Sequence, residues 1–236
     1  IDDFDLGVIL IFDKLLFNTT TDIAFASIYI PPESSPYYED KNVSGIQIFE
    51  DCFTRNNLQS LELIICGDLN ARTGTLDDYV KADACIPELE NVHDIIEGDI
   101  GVQRLSADKI VNKFGRLLLQ FCKTYVCYIT NGRFGCNDYT FVNQNGCSVI
   151  DYFIVSRSII TNVIQFDVLS NTESCHFPIS LNLNVAIPGK EERSVDDGPV
   201  DEYMYKLNDD NCNIFQNLVT DGIINGCLNQ VHEMLE

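Results

Sequence analysis

The stretch Leu61-Glu62-Leu63-Ile64-Ile65-Cys66 does most to limit what this chain can fold into. It is almost wholly apolar and stops abruptly at Gly67-Asp68-Leu69-Asn70. A short apolar run closed by a turn signal predicts a buried strand. Gly7-Val8-Ile9-Leu10-Ile11-Phe12 reads the same way and is too short to span a membrane. Asp2, Asp3 and Asp5 sit where a signal peptide would be basic, and the first residue is Ile rather than Met, so a fragment of a longer product is expected.

The pattern along the chain mixes β and α periods. Strands are expected over residues 6–12, 22–30, 61–66, 125–129, 163–169 and 179–186. Residues 139–142 and 148–155 read as two strands joined by Asn143-Gln144-Asn145-Gly146, a hairpin signature. Residues 44–58 have apolar residues at helical spacing. Residues 106–123 read as a second helix, with Ser106 or Asp108 as its cap and Ile110, Phe114, Leu117, Leu118 and Phe121 on one face. Residues 71–103 are loop-like, and Asn131-Gly132-Arg133 is a turn. The expected organisation is one domain over residues 1–187, an acidic linker over 188–207 and a helical tail over 208–236.

Asp68 and Asn70 sit two apart at a strand exit, so extended geometry points both side chains to one face. A carboxylate there can bind a metal or position water, and a carboxamide can hold a phosphate oxygen. Asp and Asn are also ordinary turn formers. Asp151 interrupts the apolar run Val149-Ile150 and Tyr152-Phe153-Ile154-Val155. It either faces solvent or is buried with a partner, because a buried carboxylate needs one. His176, in a polar turn before Phe177-Pro178-Ile179, is the natural partner, and a carboxylate orients an imidazole. Tyr29, before Ile30-Pro31-Pro32, offers a hydroxyl at another strand end or is a half-buried aromatic. His93 and His232 read as surface residues.

The order of these signals is more specific than any one of them. Tyr29-x-Pro31-Pro32, Gly67-Asp68-Leu69-Asn70, Asp108-x-x-x-Asn112-x-x-Gly115, Asn131-Gly132-Arg133, Tyr139-Thr140-Phe141, Ile150-Asp151-Tyr152 and Ser174-Cys175-His176-Phe177-Pro178-Ile179 follow one another in that sequence. Together they resemble the endonuclease/exonuclease/phosphatase superfamily over roughly residues 6–186. The segment from Ser106 to Gly115, with the turn at Asn131, resembles the endonuclease domains of non-LTR retroelements. The resemblance implies an α/β fold, a four-layer αββα sandwich of two packed mixed sheets flanked by helices, here missing its opening strands. It implies cleavage of DNA phosphodiesters with Mg²⁺ or Mn²⁺. It implies that Asp68 binds the metal and activates water, that Asn70 and Tyr29 contact the phosphate, and that His176, held by Asp151, stabilises charge on the phosphoryl group.

The sequence departs from that pattern in two places. Cys175 stands where the family carries the Asp of Ser-Asp-His, and a soft, mostly neutral thiol suits Mg²⁺ poorly. The Asn and metal-binding Glu of the family's opening strands have no counterpart before Gly7. A weakly held ion, little or no nuclease activity and marginal stability are therefore expected. The net charge of −21, from 15 basic and 36 acidic residues, opposes simple adhesion to nucleic acid. It leaves two alternatives open: an active phosphodiesterase or phosphatase on a small substrate, and a non-catalytic binding protein on the same fold. Ten cysteines without a C-x-x-C pair suggest free, mostly buried thiols in a reducing nuclear or cytoplasmic compartment, with no disulfide-linked partner and no membrane association.

Overall fold

The central strand is the one the apolar run predicts, and it continues through its own turn signal to include Asp68. This strand, β3 (Glu62–Asp68), occupies the middle of a five-stranded sheet. Its companions are β1 (Gly7–Phe12), β2 (Ile23–Tyr29), β4 (Cys127–Ile129) and β7 (Asp151–Ser156), in the order β1-β2-β3-β7-β4. β2 and β3 run parallel, and the other neighbours are antiparallel. Between β7 and β4 in the chain order lies a hairpin of β5 (Phe141–Asn143) and β6 (Gly146–Ser148), and β8 (Val163–Val168) pairs with β9 (Ile179–Leu183) in a third sheet. The computed structural model describes residues 5–16, 19–41, 43–80, 103–170 and 174–184. The proposed linker and helical tail, His93 and His232 lie outside the described residues. All described residues fall within one compact unit, Ile1–Gly189.

Two helices cover one face of the main sheet. α1 (Gly45–Arg55) begins in a capping box: the Ser44 hydroxyl accepts from the Gln47 N–H, and the Gln47 side chain accepts from the Ser44 N–H. Its apolar positions Ile46, Phe49 and Phe53 are buried, as are Phe114, Leu118 and Phe121 of α2 (Lys113–Tyr125). Phe121 sits 5.3 Å from Phe49 and 5.4 Å from Phe53, ring centre to ring centre. Each such ring, taken out of water, contributes about 1.5–3 kcal/mol. Ala24, Ala26, Leu63, Ile65, Tyr152 and Ile154 supply the sheet side of this core.

The opposite face carries a second, smaller core. Ile23, Ile64, Tyr128 and Val155 pack with Ile159 and Ile160 of α3 (Arg157–Ile160), with Leu181 and Leu183 of β9 against them. This is the mixed α/β architecture of several sheets and few helices that the motif order implied. Cover thins toward β1, where Val8 and Leu10 are 56% and 48% exposed. A buried ion pair locks the other edge: Asp78 and Arg133, 0% and 2% exposed in their side chains, form two 2.6 Å bonds, and Asp78 also accepts the Ile129 N–H. No helix among the described residues is long and apolar enough to cross a membrane.

Three boundaries differ from the sequence reading. The second helix starts at Lys113, not near residue 106, with Asn112 as its N-cap. Asp108 does not cap it, because its carboxylate is spent on Arg72; Val111 is bridged to Thr73 in extended form, and Ile110 is exposed. Tyr125 ends this helix, and Val126 turns left-handed at φ 53° before β4 begins. The strand expected over 148–155 is two strands: β6 closes the hairpin at Ser148, and β7 opens at Asp151 in the main sheet. The Thr140 hydroxyl makes this break by accepting the N–H groups of both Ile150 and Asp151.

Candidate active site

Sheet register brings the first residues together. Tyr29 of β2 is the register partner of Asp68 in β3, and Asp68 is that of Asp151 in β7. Partners across a sheet share a face, so these three form a row at one end of it. Gly67 makes the row possible. Its φ is +134°, and a Cβ there would lie 1.9 Å from the Ile28 carbonyl oxygen, so no other residue fits beside β2.

Asp68 is fixed from beyond the strand end. Asn70 turns left-handed at φ 46° and bends back over it. Its backbone N–H donates to Asp68 Oδ1 at 2.9 Å, and its Nδ2 donates to Asp68 Oδ2 at 3.0 Å and to the Ile30 carbonyl at 2.9 Å. Both carboxylate oxygens are thus oriented by one neighbour. Burial pushes the Asp68 carboxyl up to about 6, and the nearby Asp151 carboxylate adds to the rise, while Asn70 and His176 oppose it.

Asp151 and His176 meet as the sequence suggested. His176 Nδ1 lies 3.0 Å from Asp151 Oδ1 and 3.2 Å from Oδ2. The other ring nitrogen, Nε2, faces Asp68 Oδ2 at 3.9 Å. The imidazole also stacks edge-on against Phe141, 4.7 Å between ring centres. Possible ligand atoms of Asp68, Asp151 and His176 all fall within 4.8 Å of one another. Cys175 is exposed and is not part of this cluster. Tyr29 stands beside the cluster with 54% of its surface exposed.

Two residues that the sequence reading left without a role hold the pair in place. Thr140, fully buried, takes the Asp151 N–H at its hydroxyl and the Phe177 N–H at its carbonyl, so one residue tethers both Asp151 and the segment carrying His176. Asn131 donates its side-chain amide to the Asp151 carbonyl at 2.9 Å and accepts the Phe153 N–H. Both sit inside motifs noted above, and that placement was the only sequence signal for them.

No protein-family model and no curated protein matches this sequence. Two solved structures are among those to which the chain is similar. One is the endonuclease domain of TRAS1, a telomere-specific non-LTR retrotransposon, with 16% identity over 78% of this chain and 72% of that one and a TM-score of 0.44. The other is the catalytic domain of Xenopus laevis APE2, with 16% identity, a TM-score of 0.48 and coverage of 75% of this chain. The match spans 55% of the APE2 chain.

The cluster's chemistry follows from its parts. Two carboxylates side by side repel when both are ionised, and a divalent cation between them relieves that repulsion. Hard cations such as Mg²⁺ take one or two protein carboxylates and complete their shell with water and substrate oxygens. Asp68 and Asp151 fit that demand.

Proposed function

We propose that this chain carries a phosphodiester-hydrolase site of the retroelement-endonuclease type, acting on DNA. The observation that carries this reading is the register pairing of Asp68 with Asp151, with His176 bonded to one and facing the other. The order of motifs in the sequence supports the same class.

Asp68, with Asp151 beside it, would hold Mg²⁺ or Mn²⁺, which when bound supplies positive charge against the phosphoryl oxygens. The protein's own steps are these. Asp68 orients a water through an oxygen fixed by Asn70 and takes its proton. Asn70 sets the angle of that carboxylate; contact with a phosphate oxygen requires its Nδ2 to exchange one of its two present acceptors. His176, its Nδ1–H given to Asp151, offers when protonated a second donor, Nε2–H, to charge developing on the phosphoryl group. Tyr29, exposed in the same row, adds a hydroxyl donor to the phosphate.

The site is impaired in this chain. Cys175, beside His176, offers no hard ligand where the resemblance calls for a carboxylate. The test is plasmid nicking with Mg²⁺ and Mn²⁺ by three proteins: the chain itself, Cys175→Asp, and Cys175→Asp with His176→Ala. Nicking by Cys175→Asp alone is the expected result. Strong Mg²⁺-dependent nicking by the unaltered chain overturns the impairment. No nicking by any folded variant, together with no Mn²⁺ binding, overturns the hydrolase reading and leaves the binding-protein alternative.

A further inference from the structure

The motif Asp108-x-x-x-Asn112-x-x-Gly115 has no part in the chemistry above, yet its contacts converge on the site. We infer that this segment is a clamp that fixes the strand ends carrying Asp68 and Asp151, and that Asn112 is a positioning residue for Asn70.

Asn112 does far more than a helix cap requires. Capping α2 uses one bond, from the Gly115 N–H to Asn112 Oδ1 at 2.7 Å. Its carbonyl takes the Arg116 N–H of the first helical turn at 3.2 Å, and its other polar contacts go to the loop after β3. Oδ1 also accepts the Arg72 N–H at 2.9 Å, Nδ2 donates to the Asn70 carbonyl at 2.9 Å, and the Asn112 N–H donates to the Arg72 carbonyl at 3.0 Å. Ser, Thr or Asp would cap the helix as well. Residues 70 and 72 together require a donor and an acceptor, which a carboxamide supplies from one planar group and an ionised carboxylate does not.

What Asn112 holds is a residue that needs holding. Asn70 is left-handed, a conformation that costs free energy away from glycine and persists where surroundings enforce it. That conformation is what turns its N–H and Nδ2 onto Asp68. Gly115 allows the clamp to close: a Cβ there would lie 1.9 Å from the Arg72 carbonyl oxygen, so the loop rests directly on the first turn of α2.

Asp108 joins the chain entering β7 to the loop leaving β3. Its side chain, 2% exposed, binds Arg72 through two bonds of 2.7 and 2.8 Å, and its Oδ2 also accepts the Val149 N–H at 3.3 Å. Val149 lies just before Asp151 in the chain. The segment thus touches the exit of β3 and the entry of β7 while contributing no group to the cluster itself. Its consequence for metal binding rests on the reading of Asp68 as a metal ligand; the conformational part does not.

The experiment compares the full chain with Asn112→Ser and Asn112→Asp. Both replacements keep a capping oxygen and remove the Nδ2 amide that donates to Asn70: Asp has no donor, and the Ser hydroxyl sits one bond short of the Nδ2 position. Two quantities are read: the Asn70 backbone angle, from its three-bond amide coupling and carbon shifts by NMR, and the affinity for Mn²⁺ alone. In both variants the melting curve is expected to stay near that of the parent, the left-handed signature of Asn70 to disappear, and Mn²⁺ affinity to fall roughly 10-fold or more, as for other residues that orient metal ligands. The added charge of Asn112→Asp favours a cation by itself, so a fall in both variants is not a charge effect. Variants that keep the Asn70 signature, with or without a lower melting point, reduce Asn112 to a helix cap and overturn the proposal. A parent chain that binds no Mn²⁺ counts against the hydrolase reading, and the NMR comparison still decides the clamp.

Discussion

Asp68 and Asp151 are direct partners in the antiparallel pairing of β3 with β7, so two carboxylates distant in sequence stand side by side at one sheet end. Burial and this proximity raise the Asp68 carboxyl to about 6, above its unfolded value of 3.8. A raised acid destabilises the folded state only where it must ionise. The penalty is absent below the unfolded value, grows through the window between the two and is complete above about pH 6. Without metal, Asp68→Asn should therefore stabilise the protein at pH 8, by on the order of 1–2 kcal/mol after the loss of one Asn70 bond. The gain should vanish by pH 4. Urea midpoints at both pH values in a chelating buffer decide it, and equal midpoints at pH 8 would sink the idea.

Asp108 should show the opposite slope. Burial alone would raise its carboxyl, but the bonds from Arg72, Ile110 and Val149 outweigh it and hold it below the usual carboxylate range. Such a group contributes stability above its unfolded pKa and loses it as pH falls through the folded one. Stability of the parent should drop on acidification below about pH 4, where carboxylates ordinarily titrate. Arg72→Gln should flatten that acid limb and leave the shape of the curve above pH 6 unchanged. Urea midpoints from pH 3 to 8 read both.

Asp78→Ala should cost about 3–5 kcal/mol, because it takes away the carboxylate that a fully buried Arg133 bonds twice. Replacing both residues, as Asp78→Leu with Arg133→Met, should recover part of that loss, since the Ile129 N–H and carbonyl then lose Asp78 and Arg133 as partners. A double variant no more stable than the single one would contradict this account of the edge of the sheet.

Thr140→Val tests how the Asp151–His176 pair is held. It keeps the shape of the side chain and removes the acceptor of two buried N–H groups, at a cost of about 1–3 kcal/mol. It should also displace the His176 ring resonances from their parent positions. Unmoved His176 resonances in a folded Thr140→Val protein would show that the ring is positioned by other contacts.

The parts of the fold legible in sequence were those with a local cause. The apolar run at Leu61 and the helical spacing of apolar residues over 44–58 place β3 and α1 without help from elsewhere. The errors came where a local signal was spent on a distant partner. Asp108 looks like a helix cap, but its carboxylate goes to Arg72 and Val149. Ser148-Val149-Ile150-Asp151 contains no breaker residue, and the interruption there is imposed by the hydroxyl of Thr140. The site divides in the same way. The spacing of Asp68 and Asn70 was readable, and the need of a buried Asp151 for a partner pointed to His176. The pairing of β3 with β7 was not readable, since residue patterns give each strand's faces but not its neighbour.

That pairing sets when the site comes into being during folding. Local hydrogen bonds can form α1 and α2 early, but β3 cannot meet β7 until nearly the whole span between them has been laid down and closed into a long loop, an ordering cost that slows non-local contacts. The carboxylate row is therefore a late product of the folding reaction. A chain arrested before Asp151 possesses Asp68 and Asn70 but no carboxylate row, and the metal binding proposed above is expected only once β3 and β7 have paired.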